Sequence, residues 1–163
     1  MKKLLVPFCL ILIIFIGSAG VSESADFQKG LNALAKKDYA TALREWKPLA
    51  EQGHAPAQSG LGAMYFQGTG VSKDYKTAVK WFRLAAEQGN ANAQYSLGLM
   101  YGTGQGVIQD WVYAHMWGNL GASNGSESGG ELRDLAAKEM TPADISTAQK
   151  LARECVRKKY KGC

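Results

Sequence analysis

Cysteine, histidine and proline are scarce in these 163 residues, with three, two and four of them respectively. His54 and His115 are far apart in sequence and far from the cysteines. No paired-histidine or Cys-x-x-Cys spacing is left for a metal, so no metal site is expected. Gly-x-Ser-x-Gly and phosphate-binding loop patterns are also absent, and neither a catalytic residue nor a cofactor is assigned. The chain lacks a strong charge of one sign: 19 basic against 14 acidic residues give a net +5. That mild balance is not the composition of a nucleic-acid binder.

Long apolar runs are equally rare. The one present extends from Leu4 to Ile16, broken only by Pro7, and a spanning helix needs roughly twenty such residues. Lys2 and Lys3 precede it and the small residues Gly17, Ser18, Ala19, Gly20, Ser22 and Ser24 follow it. This is the order of an export signal, with cleavage expected between residues 19 and 25. An uncleaved anchor is the alternative, and the run is short for one. Removing 1–25 takes Lys2, Lys3 and Glu23 and leaves a net charge of +4 on 26–163, a length that fits one domain. No membrane span is expected after cleavage. Cys9 leaves with the signal, and an even pair, Cys155 and Cys163, stays. In an exported chain such a pair points to a disulfide.

What the chain has in abundance is a repeat. At an offset of 36, Ala57, Gln58, Leu61, Gly62, Met64 and Tyr65 meet Ala93, Gln94, Leu97, Gly98, Met100 and Tyr101. Gly68, Gly70, Val71 and Asp74 then meet Gly104, Gly106, Val107 and Asp110. Ala78, Trp81, Leu84, Ala86 and Gly89 meet Ala114, Trp117, Leu120, Ala122 and Gly125. Carried backwards, the offset sets Asp38, Tyr39, Ala42 and Ala50 under Asp74, Tyr75, Ala78 and Ala86. The earlier unit has a loop four residues shorter, so Gly30 aligns with Gly62. A period of this size signals a solenoid.

Within a unit, Gln58, Leu61, Gly62 and Tyr65 share one helical face, as do Ala78, Trp81, Phe82 and Ala85. Gly68-Thr69-Gly70 separates them, glycine accepting the positive φ of a tight connection. Its counterpart Gly102-Thr103-Gly104-Gln105-Gly106 follows a helix, not a strand, so it is a repeat turn and not a nucleotide loop. The unit is helix-turn-helix. Gly62 and Gly98 inside a helix each cost about 1 kcal/mol relative to alanine, and their recurrence implies close approach of a neighbour. Trp81 and Trp117 are expected to fill the space between units, and His54 and His115 to be scaffold variations.

The pattern Ala-x-Ala-Gln-x-x-Leu-Gly-x-Met-Tyr, Gly-x-Gly-Val-x-x-Asp, Ala-x-x-Trp and Ala-Ala-x-x-Gly resembles the Sel-one-like repeat of the tetratricopeptide-repeat superfamily. It covers units 55–89 and 91–125, with a shortened tetratricopeptide-like unit at 26–53. Glu45 departs by standing where later units have tryptophan. The resemblance implies an all-α short solenoid, a right-handed superhelix of helix-turn-helix units. It also implies a protein or peptide partner on the concave face lined by the first helices.

The remaining segment, 126–163, reads as a helical cap. Ser126 to Gly130 reads as a polar turn. Glu131 to Glu139 is expected to be a helix with Leu132, Leu135 and Ala136 inward. Thr141-Pro142-Ala143-Asp144 starts another, with Ile145, Ala148, Ala152, Cys155 and Val156 as its apolar set. Its other face carries Lys150, Arg153, Arg157 and Lys161, opposed by Glu154: a solvated face, or one for an acidic partner or anionic surface.

Positions shared by the units answer to packing, so recognition is expected where they differ. Ser59, Ala63, Phe66 and Gln67 form one face of a first helix, with Tyr95, Leu99, Gly102 and Thr103 as counterparts. Ser59, Phe66, Gln67, Tyr95 and Leu99 are the candidate partner-binding residues. The function expected is that of an exported binding scaffold or adaptor in the cell envelope, periplasmic or secreted, and not an enzyme. The alternative is a β-lactamase-like or penicillin-binding enzyme, after cysteine-rich relatives of this repeat. Those relatives place a cysteine pair in each repeat, and these repeats have none. Neither the oligomeric state nor the partner's identity follows from the sequence.

Overall fold

A computed structural model describes residues 25–163, so the segment read as an export signal lies outside the described residues, apart from Ala25. Eight helices are described: α1 Phe27–Ala35, α2 Tyr39–Glu51, α3 Ala55–Gln67, α4 Tyr75–Ala86, α5 Ala91–Thr103, α6 Trp111–Ser123, α7 Glu127–Lys138 and α8 Pro142–Arg157. Consecutive helices pack in order from α1 to α7, α3 touches α5, and α5 touches α7. The result is a short α-solenoid of three helix pairs followed by two closing helices.

The helix starts follow from side-chain caps. Asp38, Asp74 and Asp110 accept backbone N–H groups at the heads of α2, α4 and α6, taking up donors that have no partner within the helix. His54 Nδ1 accepts from the Ala57 N–H at 3.2 Å, as Asn90 Oδ1 does from Ala93 at 2.9 Å. That slot therefore needs an acceptor, which both residue types supply. Gly68 and Gly104 close α3 and α5 in the left-handed region, at φ 76 and 71.

Tertiary contact explains the glycines inside helices. A Cβ on Gly62 would stand 2.7 Å from the Phe82 ring, and one on Gly30 would overlap the Trp46 indole. In the first two units the first helix is thus bare where an aromatic ring of the second helix lies down. The third unit has Gly118 in the ring position, and Leu132 of α7 takes its place over Gly98, where a Cβ would meet the leucine methyl at 2.9 Å. The second glycine of the Gly-x-Gly turn answers to the preceding unit: Gly70 abuts Tyr39, and Gly106 abuts the Tyr75 carbonyl.

The first unit has Glu45 at the position of the repeat tryptophan, and its own tryptophan, Trp46, holds the position of Phe82. Trp46 is 2% exposed, packs over Gly30 and Gly60, and donates from Nε1 to the Phe27 carbonyl at 3.2 Å. Glu45, at 4% exposure, instead accepts the Asp26 N–H at 3.2 Å and pairs with Lys29 at 3.2 Å and Arg44 at 3.4 Å. Trp117 is fully buried, whereas Trp81 is half-buried against the cluster containing Trp46, Leu61 and Met64.

The closing helices differ from the sequence expectation in two places. The segment 127–130 is the first turn of α7, capped by Ser126, and not a polar turn. Its Gly129 is there for proximity, since a Cβ would lie 2.8 Å from the Ala122 nitrogen on α6. Leu135 and Val156, expected inward, are 51% and 52% exposed. Leu132 and Ala136 already fill the contact of α7, and Ala148, Ala152 and Cys155 that of α8. The capping box of Thr141 and Asp144 is formed as the sequence implies. α8 rests on α6 and makes no comparable contact with α7, so the two helices do not form a further hairpin unit.

Candidate partner-binding surfaces

Burial sorts repeated residues from variable ones along the first helices. Ala57, Gln58, Leu61, Gly62 and Met64 are buried in α3, and Ala93, Gln94, Leu97, Gly98 and Met100 in α5. The buried glutamines have a defined task. Gln58 Nε2 donates to the Ala50 carbonyl at 2.9 Å, and Gln94 Nε2 to the Ala86 carbonyl at 3.1 Å. Each also accepts from the end of its own unit's second helix, Gln88 to Gln58 at 2.7 Å and Asn124 to Gln94 at 2.8 Å. A buried amide with both ends satisfied joins successive units without leaving polar groups unpaired.

The variable residues sit at the edge of this core. Gln67 is exposed, and Ser59, Tyr95 and Leu99 are half-buried, on two helices that touch one another. Phe66 differs from these four because its ring lies 5.4 Å from that of Tyr75 and packs on the central core. In the next unit Gly102 and Trp111 occupy the same two positions, with the indole 3.1 Å from a Cβ built on Gly102. The two residues vary together in size, which accounts for Phe66 by packing. Among the shared positions, Tyr65 and Tyr101 stay half-buried. Tyr101 stacks on Tyr113 at 5.1 Å and accepts at its hydroxyl from Arg83 at 2.7 Å.

A second surface lies between α6 and α8. Asn119, Leu120 and Ser123 form one wall, and Lys150, Ala152, Arg153, Glu154, Val156 and Arg157 the other, around a groove of about 630 Å³. Of the cations expected on one face of α8, Lys150, Arg153 and Arg157 border a groove whose other wall could not be foreseen from local sequence, whereas Lys161 lies beyond the end of the helix. Beyond α8 the chain hooks back, and a disulfide joins Cys155 to Cys163 with the Cα atoms 5.5 Å apart.

The titratable groups are tied to structure. His115 is buried at 4% exposure on α6. Burial, then the charge of Arg133, pushes its pKa below the ordinary value. Its Nδ1 has no hydrogen-bond partner. The Asp26 N–H, helped by Lys29 and Arg44, holds the Glu45 carboxyl below its ordinary value. Among the described residues no group of three or more His, Cys, Asp or Glu side chains is placed to hold a metal ion, and no helix is long and apolar enough to cross a membrane.

The Sel1 repeat family matches residues 55–90 and 91–126. Among solved structures, a protective antigen present in uropathogenic Escherichia coli strains, displaying an SLR fold, is similar with a TM-score of 0.75. It has 30% identity over 80% of this chain and 30% of that one. A Sel1 repeat protein from Oxalobacter formigenes is similar with a TM-score of 0.63 and 30% identity, over 66% of this chain and 44% of that one. The chain therefore spans less than half the length of either structure. No curated protein matches it.

Proposed function

Because the chain carries two Sel1 repeats, we propose that it is a scaffold or adaptor that is exported to the cell envelope and holds a protein or peptide there. The single observation that carries this reading is the sorting of residues on α3 and α5: apart from the half-buried Tyr65 and Tyr101 the recurring ones named above are buried, and Ser59, Gln67, Tyr95 and Leu99, which do not recur, reach solvent. A fold that needed only to stack would have no use for the latter, whereas a partner reads what differs between units. Solenoids present such surfaces for binding, and a tyrosine such as Tyr95, one turn from Leu99, is a common anchor. Export rests on the Lys2-Lys3 and Leu4 to Ile16 pattern.

The test is affinity capture from envelope extract with the purified chain and with Tyr95→Ala, Leu99→Ala. A partner recovered by the native chain and lost by the variant, at unchanged helical circular dichroism, is the outcome expected. Capture indifferent to these substitutions would remove the partner from this face.

A further inference from the structure

We propose that the groove between α6 and α8 is a docking site for an acidic amphipathic helix of a partner protein. This goes beyond the scaffold reading, because it uses the second-helix side of the chain and none of the residues on α3 or α5.

The argument starts from an imbalance of charge. Lys150, Arg153 and Arg157 line the groove with one acid, Glu154, among them. Glu154 reaches only Arg157, at 3.8 Å. Among the described residues neither Lys150 nor Arg153 has an ion-pair partner, and the α6 wall of Asn119, Leu120 and Ser123 supplies no charge. Among the described residues the groove thus presents positive charge that Glu154 offsets only in part, and complementary potential steers and selects a partner.

Between the cations the surface is apolar. Val156 is 52% exposed on a helix whose inward positions are already filled by Ala148, Ala152 and Cys155. It lines the groove together with Leu120 and Ala152, which are themselves almost fully buried. Cations beside an apolar lining match an occupant with both carboxylates and aliphatic side chains. The Ser123 hydroxyl is engaged by the Asn119 carbonyl at 2.9 Å, which leaves the Asn119 side-chain amide to meet a polar group of the occupant.

The spacing of the cations suits a helix as that occupant. Lys150, Arg153 and Arg157 follow one another at i, i+3 and i+7 on α8, about 10 Å from first to last at 1.5 Å per residue. An incoming helix with carboxylates seven residues apart spans the same length on one face, and its apolar residues at i+3 and i+4 lie between them, within about 4 Å of Val156 along the axis. Two packed helices offering a groove to a third is a known mode of peptide recognition.

The probe is a fluorescein-labelled synthetic helical peptide, alanine-based, with leucines at i+3 and i+4 and glutamates at i and i+7. Its partner probe has glutamine for glutamate. Binding to the purified chain is read by fluorescence anisotropy, beside sedimentation with phosphatidylglycerol vesicles. The expected result is binding of the glutamate peptide that is weakened at least about tenfold by Lys150→Glu, Arg153→Glu and by high salt. Val156→Asp weakens it separately, and Tyr95→Ala, Leu99→Ala does not. The side chains substituted in the groove are exposed, and circular dichroism confirms that each variant is folded. Equal binding of the glutamine peptide, or indifference to both groove variants, overturns the proposal. Vesicle binding through Lys150 and Arg153 without peptide binding also overturns it, in favour of a membrane surface.

Discussion

The hydroxyl of Tyr160 donates to Oδ1 of Asn124 at 3.2 Å, one repeat length away in sequence. Asn124 in turn donates to Gln94, and Gln94 to the Ala86 carbonyl. The ring of Tyr160 also fills the space beside Gly89, 3.2 Å from where a Cβ would be. The C-terminal hook is thereby tied to two repeat units. Tyr160 and Lys159 achieve this with φ of 65 and 52, a region costly for residues other than glycine, and the Cys155–Cys163 bond holds the hook in place.

Reduction of that bond is therefore expected to destabilise the end of the solenoid by roughly 2 to 3 kcal/mol, the chain-entropy value for so short a loop. Urea unfolding with and without reductant, compared with Cys155→Ser, Cys163→Ser, measures it. Identical midpoints would mean that the hook contributes nothing to stability. Mass spectrometry of unreduced protein from its own compartment is expected to find no free thiol at either position.

Gly62→Ala improves helix propensity by about 1 kcal/mol and yet is expected to lower stability by about 1 to 3 kcal/mol, the usual cost of overpacking. The added Cβ meets the Phe82 ring at 2.7 Å. Combining it with Phe82→Leu restores part of the loss by clearing the ring edge. A stabilised Gly62→Ala in chemical denaturation would contradict this account of the recurring glycine.

Gln94→Leu strands the Ala86 carbonyl and the Asn124 amide together. A buried polar group left unpaired costs about 1 to 3 kcal/mol, so the variant is expected to unfold earlier although leucine suits a buried helix. Hydrogen exchange of the backbone amides at the α4–α5 junction should rise first.

Acid is expected to weaken the fold in two windows. Burial keeps the folded pKa of His115 below its ordinary 6.5, so the unfolded chain takes up that proton first and stability declines as pH falls below 6.5. The Glu45 carboxyl, lowered from 4.5 by the Asp26 N–H and by Lys29 and Arg44, adds stability above 4.5 that is lost as pH falls further. Thermal melts across pH 7 to 3 follow both. His115→Leu should flatten the upper window and Glu45→Gln the lower, the latter at a lower starting stability.

Export predicts a mature N-terminus between Gly20 and Asp26 in protein recovered from the cell envelope or medium. N-terminal sequencing decides it. An intact Met1 in a soluble cytoplasmic pool would end the export reading.

Local chemistry and the offset of 36 residues account for most of the helical framework. Aspartates ahead of helices, glycine after α3 and α5, and the period itself depend on near neighbours in sequence, so most helices and the turns of the repeats were legible there. So was the set of residues buried by stacking, because each unit must bury the same face. Where the period lapses, the outcome depended on contacts between distant parts of the chain. Glu45 stands buried at the tryptophan position because Asp26, Lys29 and Arg44 satisfy it, and Leu132 fills the space that Gly118 vacates, since volume and charge are satisfied in three dimensions by whichever side chain arrives. Leu135 and Val156 are apolar at helical spacing and yet exposed, because a helix buries only as much of its face as its neighbours cover. α8 turned onto α6 and away from α7, and that single choice of neighbour made the groove beside Lys150 and Arg153, whose two walls lie about thirty residues apart in the chain and share no local signal.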